Sequence, residues 1–160
     1  MVLQCVVGKY MKKNVIIGIL LLIVNSIEKT FDPDTKYFIY NKVTSRCIKR
    51  ELTNNGYADY YIITYGECTD DDDSLWYIKD NHIISSANDN CLAVVNSNKL
   101  GSKDCNKSVI EALYVQDFII EEDTICSKLN NCLKDRRGQV GDKKNKDKYY
   151  EWTISTSLPE

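Results

Sequence analysis

From about residue 37 onward, apolar residues occur in short runs, each bounded by Asn, Asp, Gly or Ser. The runs are rich in β-branched and aromatic side chains, which favour strands, and the polar residues between them favour turns. No stretch keeps an apolar stripe at helical spacing for three turns, and the weak helical candidate at 108–115 suits a strand equally well. The pattern therefore predicts an all-β protein. The clearest predicted strands are 37–40, 60–63, 83–84, 92–95 and 118–120.

A cysteine-anchored phrase recurs three times along this pattern. It reads Arg46-Cys47-Ile48, Asn90-Cys91-Leu92 and Asn131-Cys132-Leu133, so that the anchor cysteines are 44 and 41 residues apart. A second phrase follows each anchor and ends in an aromatic residue, at Trp76, Tyr114 and Trp152, with a spacing of 38 residues both times. Two markers that recur together indicate one supersecondary unit used three times, each copy too small to bury its apolar face alone.

Three such units predict one closed barrel. Each copy reads as four short strands, and we expect the closing aromatics and the Ile/Leu positions to meet in one core, which removes exposed sheet edges. The 160 residues suit a single domain. We place that domain at 37–154, with repeats at about 37–78, 79–116 and 117–154, a linker at 27–36 and a tail at 155–160.

The N-terminal segment has the pattern of a secretory signal. Lys12 and Lys13 precede an apolar run over residues 15–24, and a small residue at a plausible cleavage point follows. We therefore predict that residues 1–26 are removed, with Met11 as an alternative start, and that the protein is secreted. An uncleaved anchor is disfavoured because the apolar run is shorter than the roughly 20 residues that span a bilayer.

Cysteine spacing agrees with secretion. Of seven cysteines, Cys5 lies within the predicted signal and six lie beyond it. The repeat limits how these six pair, because Cys47 and Cys68 occupy the same two slots in copy one as Cys91 and Cys105 in copy two, which leaves Cys126 and Cys132 in copy three. We predict three local disulfides, Cys47–Cys68, Cys91–Cys105 and Cys126–Cys132. Zinc is disfavoured because no Cys-x2-4-Cys pair with partner ligands is present, and we predict no metal and no cofactor.

At these residues the chain resembles the ricin B-type lectin domain, a β-trefoil. The resemblance rests on the spacing of the anchor Cys-Ile/Leu, the second cysteine and the closing aromatic, and it covers about residues 37–154. The family's closing Gln-x-Trp reads Ser74-Leu75-Trp76, Ala112-Leu113-Tyr114 and Tyr150-Glu151-Trp152, so all three copies lack the glutamine. The Lys-, Asn-, Ile- and Tyr-rich composition is also similar to that of trefoil lectin-like proteins of AT-rich parasites such as microsporidia.

The resemblance implies sugar pockets, one in each repeat. In the family a carboxylate two residues after the anchor cysteine and an amide before the closing Trp bind hydroxyls, and an aromatic face packs on the sugar ring. The acid position is Lys49, Ala93 and Lys134 in the three copies here. The candidate sugar ligands are therefore nearby residues: Asp135 and Gln139 in copy three, Asp73 and Tyr65 in copy one, and Asn96 in copy two.

Each candidate also has a structural interpretation. Tyr65 and Tyr114 suit barrel packing better than a sugar platform, and Trp76 and Trp152 suit the core. Asp135 equally suits a solvated turn, paired with a neighbouring arginine in a surface ion pair that contributes little.

Two charged segments remain. The run 70–73 is four consecutive aspartates, which do not aim several oxygens at one point as a hard cation requires, so a solvated loop is favoured. The segment 134–148 carries seven bases and three acids and suits either contact with acidic glycans or a phosphorylated partner, or simply a soluble loop.

The charge and the histidine content disfavour two classes of function, nucleic-acid binding and catalysis. A formal net charge of −2 provides no strong field for nucleic acid. His82 is the only histidine, and it matches a structural position of the repeat. The sequence therefore offers no candidate pair of nucleophile and general base, and we predict that the protein is not an enzyme. The leading hypothesis is a secreted lectin-like protein that binds carbohydrate or a glycoprotein on a cell or wall surface. The rival is a trefoil protein-interaction or coat module with degenerate sugar pockets; the oligomeric state is left open.

Overall fold

The structure, a computed structural model, describes residues 29–54, 56, 59–95, 99–106, 114–136, 139–145 and 147–160. The predicted signal segment, the candidate ligand Asn96 and most of the second closing phrase lie outside these residues. The described part consists of short strands with two 3₁₀ helices, Lys143–Asn145 and Lys148–Tyr150, which confirms the predicted all-β class. The strands are β1 (Phe38–Asn41), β2 (Cys47–Asn54), β3 (Asp59–Gly66), β4 (Trp76–Lys79), β5 (His82–Ser85), β6 (Cys91–Val95), β7 (Lys99–Lys103), β8 (Tyr114–Val115), β9 (Phe118–Glu121), β10 (Thr124–Ser127), β11 (Asn131–Leu133), β12 (Val140–Asp142) and β13 (Trp152–Ser155).

These strands form three antiparallel sheets of similar construction. Their orders are β13-β1-β2-β3, then β4-β5-β6-β7 with β8 added beside β6, and β9-β10-β11-β12. The last strand pairs with the first, Phe38 opposite Ser155 and Asn41 opposite Trp152. The chain therefore closes on itself around one core, as a barrel requires.

The three sheets share one register at their closing aromatics. The equivalent buried pairs are Trp76 opposite Ser85, Phe118 opposite Ser127, and Trp152 opposite Asn41. The aromatic that closes copy two is therefore Phe118 and not Tyr114, which corrects the prediction from spacing. Tyr114 instead begins β8, is half-buried, and pairs with Val95. This additional strand delays the closing strand by four residues, so equal spacing along the sequence was misleading.

The closing phrase of copy two is Gln116-Asp117-Phe118. It contains the glutamine that the sequence pattern predicted to be missing from all three copies. Gln116 is only 3% exposed, and its amide donates to the carbonyls of Lys103 and Asp104 at 3.3 and 3.1 Å. The amide thus ties the end of β7 to the start of β9, because the two carbonyls belong to the last residue of β7 and to the residue after it.

The barrel core consists of aliphatic side chains and the closing aromatic residues. Trp76 and Trp152 lie in it, as predicted, and each indole N–H donates to the carbonyl that follows an anchor cysteine: Trp76 to Ile48 at 2.8 Å and Trp152 to Leu133 at 3.1 Å. The other buried members are Ile39, Ile48, Ile63, Ile78, Ile83, Leu92, Val94, Leu100, Phe118, Ile125, Leu133 and Val140.

The structure joins the three cysteine pairs that the repeat predicts. Their partners are 21, 14 and 6 residues apart, in the order Cys47–Cys68, Cys91–Cys105 and Cys126–Cys132. Cys126 lies directly opposite Cys132 on the neighbouring strand. In an oxidising compartment, each bond limits the unfolded chain and stabilises by about 2 to 3 kcal/mol, least for the shortest loop.

The hairpins between the second and third strands differ in length. Strands β2 and β3 have eight residues each, β6 and β7 have five, and β11 and β12 have three. The first hairpin therefore extends beyond the third, and this asymmetry shapes the surface described next.

Candidate functional site

A groove of about 420 Å³ lies between β3 of copy one and β7 of copy two. Its β3 wall consists of residues 60–63, its β7 wall of residues 100–103, and Val95 and Tyr114 complete it. Strands β3 and β7 are both terminal strands of their sheets. The groove therefore lies where two repeats meet and not inside any one of them.

The β3 wall presents aromatic and aliphatic surface to solvent. Tyr60, Tyr61 and Ile62 are 45%, 49% and 37% exposed. This exposure follows from the length of β3, because these residues lie towards the tip of the long first hairpin, beyond the barrel core. Consecutive exposed side chains of this size commonly mark a binding surface.

Arg50 supports the ring of Tyr61. Its guanidinium carbon lies 4.0 Å from the ring centroid, and the Arg50 side chain is only 6% exposed. One nitrogen lies 3.5 Å from the Asp73 carboxylate, while Nε is buried without a hydrogen-bond partner in the described part of the chain. A cation packed against an aromatic ring in this way holds the ring in place.

Gln139 connects the two walls. Its side-chain Nε2 donates to the carbonyl of Ile63 on β3 at 2.6 Å, and its Oε1 accepts from the backbone N–H of Leu100 on β7 at 2.9 Å. Gln139 directly precedes β12, so the third hairpin contributes this amide to the junction between β3 and β7. Both of its polar atoms are therefore engaged in holding the groove walls and not in binding a ligand.

The β7 wall contributes polar groups. Ser102 Oγ is buried and has no hydrogen-bond partner among the described residues. The Lys103 ammonium lies 5.7 Å from the centroid of the Tyr114 ring. A buried hydroxyl without a partner costs free energy, so rotation of the Ser102 side chain that turns Oγ towards the groove, where a ligand supplies a partner, would recover it.

Asp135, the first candidate sugar ligand, is enclosed. Its side chain is fully buried, Arg46 forms a bidentate ion pair with both oxygens, and the hydroxyl of Thr44 donates to Oδ2. Hydrogen bonding to Asp135 raises the pKa of the Arg46 guanidinium. This carboxylate therefore links copies three and one and is not offered to a ligand; it is also not the solvated turn residue of the alternative interpretation.

Tyr65 points into the barrel, as its packing interpretation predicts. Its ring centroid lies 5.1 Å from that of Trp152, and its hydroxyl donates to the Gln139 carbonyl at 2.6 Å. Burial raises the pKa of the Tyr65 hydroxyl well above its usual range. The Tyr65 ring is therefore not available as an open platform for a sugar.

Two candidate ligands remain predictions. Asp73 is partly exposed but lies 3.5 Å from Arg50, which partly neutralises it. Asn96 follows the groove residue Val95 in the chain but lies outside the described residues. At the three positions where the sequence resemblance implies an acid, Ala93 is buried, the Lys49 ammonium lies near Thr69, and the Lys134 ammonium lies 3.5 Å from Asp147.

The four consecutive aspartates lie in a turn, and the carboxylates of Asp71 and Asp72 have partners there. Asp71 accepts from the backbone N–H groups of Asp73 and Ser74, and Asp72 pairs with the Lys36 ammonium at 2.7 Å. That hydrogen bond from Lys36 lowers the pKa of Asp72. The described residues contain no cluster of carboxylate, histidine or cysteine groups suited to a metal ion.

Sequence comparisons and structural comparisons give different results. No family model matches the chain, and no curated protein matches it. Among solved structures, the β-trefoil lectin domain of the Vibrio vulnificus hemolysin/cytolysin, crystallised with N-acetyl-D-lactosamine, has a TM-score of 0.61 at 17% identity, over 76% of this chain and 93% of that one. The BEL β-trefoil has a TM-score of 0.58 at 16% identity, over 80% of this chain and 97% of that one. The earthworm R-type lectin C-half with GalNAc has a TM-score of 0.54 at 13% identity, over 76% of this chain and 98% of that one.

These similarities establish the β-trefoil fold. At such low identity they carry the architecture alone, so any binding activity must be argued from the residues of this chain. None of the helices in the described ranges has the length and apolar character needed to cross a bilayer.

Proposed function

We propose that this chain is a secreted, non-catalytic protein that binds carbohydrate on a cell or wall surface, and that the sugar lies in the groove between β3 and β7. The observation that carries the proposal is the combination of exposed tyrosine rings with the partnerless hydroxyl of Ser102 in one groove.

A sugar matches this combination because it is amphipathic. The C–H face of a pyranose packs on an aromatic ring, as Tyr61 and Tyr114 allow, and its hydroxyls both donate and accept. Ser102 gains a hydrogen-bond partner on binding, and the Lys103 ammonium donates to a ring hydroxyl. Arg50 and Gln139 already hold the walls in place, so little ordering is required when the sugar binds.

Proteins of similar structure support a carbohydrate as the ligand. Three structurally similar β-trefoils form complexes with N-acetyl-D-lactosamine, 6'-sialyllactose and GalNAc. Three disulfides suit an extracellular protein, and together with the predicted signal at 1–26 they support secretion.

A glycan array followed by titration calorimetry tests the proposal. We expect binding by the wild type, at least tenfold weaker binding by Tyr61→Ala and Tyr114→Ala, and no change for Tyr77→Ala, a half-buried tyrosine on β4 outside the groove. Absence of any glycan ligand at millimolar concentration would rule the function out.

Ser102→Ala separates binding from folding. Removing a buried hydroxyl that lacks a partner leaves stability unchanged or raises it, whereas it removes a hydrogen bond to the bound sugar. We therefore expect weaker glycan binding without a lower unfolding midpoint. Unchanged affinity would place the sugar elsewhere.

A protein-interaction or coat module is the second candidate. It is favoured by the residues at the positions where the resemblance implies an acid, Lys49, Ala93 and Lys134. It is also favoured by Leu52 on β2, which is 55% exposed and lies opposite Tyr61. Recovery of one protein partner from deglycosylated extract, with no array signal, would favour this candidate.

A further inference from the structure

The third repeat carries a second surface that the groove does not include. It consists of Lys134, Arg136, Lys148 and Tyr149, which we call the basic cluster. The cluster contains Lys134, which lies two residues after Cys132, where the resemblance to the ricin B-type domain implies a carboxylate.

The cations of the basic cluster lie close together. The Arg136 guanidinium is 4.8 Å and the Lys148 ammonium 5.5 Å from the centroid of the same Tyr149 ring. Their charges are therefore at most about 10 Å apart, a separation comparable to the Debye length of about 8 Å at physiological salt. An anion that binds near this ring is attracted by both cations.

Few acids offset these charges. Asp147 lies 3.5 Å from the Lys134 ammonium, but neither Arg136 nor Lys148 forms an ion pair with any described residue. Asp135, which separates Lys134 from Arg136 in the chain, is neutralised by Arg46. The basic cluster keeps a local charge of about +2 on a chain whose formal net charge is −2.

The backbone holds the basic cluster in shape. The N–H of Asp135 donates to the carbonyl of Tyr149 at 3.0 Å, which joins the segment with Lys134 and Arg136 to the segment with Lys148. Asn41 donates its side-chain amide to the same carbonyl at 2.9 Å. Tyr150 is buried beside Tyr149, and the Lys134 ammonium lies 4.9 Å from its ring. The cations are thus presented by a fixed surface.

We propose that the basic cluster binds the anionic group of an acidic glycan, a sulfate ester or a uronate carboxylate. This inference rests on the proposed carbohydrate function and adds the class of sugar. Arg136 supplies two parallel N–H donors that match a carboxylate or sulfate, Lys148 supplies a point charge, and the hydrogen bonds are charge-assisted.

Binding of heparin, polygalacturonate and N-acetyl-lactosamine, measured by biolayer interferometry at several salt concentrations, tests the proposal. The first two probes separate sulfate from carboxylate, and the third is neutral. We expect the double variant Arg136→Gln/Lys148→Gln to bind at least one acidic probe tenfold or more weakly and to lower the slope of log affinity against log salt by about two. Lys79→Gln, an exposed lysine on β4, is the control for loss of charge.

The outcomes separate this inference from the proposed function. If the double variant binds both acidic probes like the wild type, the basic cluster is not the site; retained binding of a neutral glycan that Tyr61→Ala abolishes would leave the carbohydrate function standing. No binding of either acidic probe by the wild type also overturns the inference. Capture of phosphorylated peptides through Arg136 and Lys148, without polysaccharide binding, would overturn it in favour of a phosphorylated partner.

Discussion

Phe118 lies directly opposite Ser127 in the β9–β10 ladder. This register is that of Trp76 opposite Ser85, so Phe118 completes the core in copy two. Unlike Trp76, Phe118 has no side-chain N–H to donate within the core. The groove lies against this copy, in which β8 adds a strand beside β6 and leaves Tyr114 at the surface.

The first prediction contrasts Phe118 with Tyr114. Phe118→Ala removes a fully buried ring and should lower the free energy of unfolding by about 3 to 5 kcal/mol. Tyr114→Ala removes a half-buried ring and should lower it by less than about 1.5 kcal/mol. Urea unfolding of both variants measures the difference. Equal losses of unfolding free energy in the two variants would mean that Tyr114 is a core residue and does not line the groove.

The second prediction concerns the buried carboxylate of Asp135. Asp135→Ala leaves Arg46 without its partner, but that side chain is 48% exposed and water can solvate it, so we expect a loss of about 1 to 3 kcal/mol. Glycan affinity, measured where the variant is folded, should not change. Asp123→Ala, which breaks an exposed pair with Lys42, should cost no more than about 1 kcal/mol. Loss of affinity without loss of stability would make Asp135 a sugar ligand after all.

Much of the fold could be predicted from local pattern. The anchor cysteines fixed the repeat because a disulfide and a strand opening recur together, and the three pairings followed from their slots. Tyr114 was assigned wrongly because spacing does not register an inserted strand such as β8. Gln116, two residues before Phe118, was the signal that would have corrected it, since the domain that the sequence resembles closes its repeats with Gln-x-Trp.

The candidate site was less predictable, because its contacts join distant parts of the chain. Nothing local to Asp135 indicates that Arg46 lies beside it, and nothing local to Gln139 indicates that Ile63 and Leu100 lie on either side. The groove depends on the relative lengths of hairpins in different copies. Periodicity within one copy does not report such a difference.

The third prediction is a pH dependence that arises from Tyr65. Burial raises the pKa of its hydroxyl in the folded protein above the value of about 10 in the unfolded chain. Its contribution to stability is therefore full below about pH 10 and is lost as pH rises towards the folded pKa, by at most about 1.4 kcal/mol per pH unit. The Tyr65→Phe variant has no hydroxyl to ionise at this position. The difference in unfolding free energy between the wild type and this variant should therefore become smaller as the pH rises over this range, as measured by urea unfolding. Parallel curves for the two proteins would contradict the burial of the hydroxyl.

The fourth prediction tests whether Gln139 is a positioning residue for the groove. Gln139→Met keeps the approximate shape of the side chain but removes both hydrogen bonds, leaving the Ile63 carbonyl and the Leu100 N–H without that partner. We expect a loss of about 1 to 3 kcal/mol in unfolding free energy, together with weaker glycan binding, because the two walls are no longer held at a fixed separation. Ser102→Ala is the matched comparison, since it should weaken binding without lowering stability. A Gln139→Met variant as stable as the wild type would mean that water replaces the amide, and one with lower stability but full affinity would mean that the sugar does not need both walls.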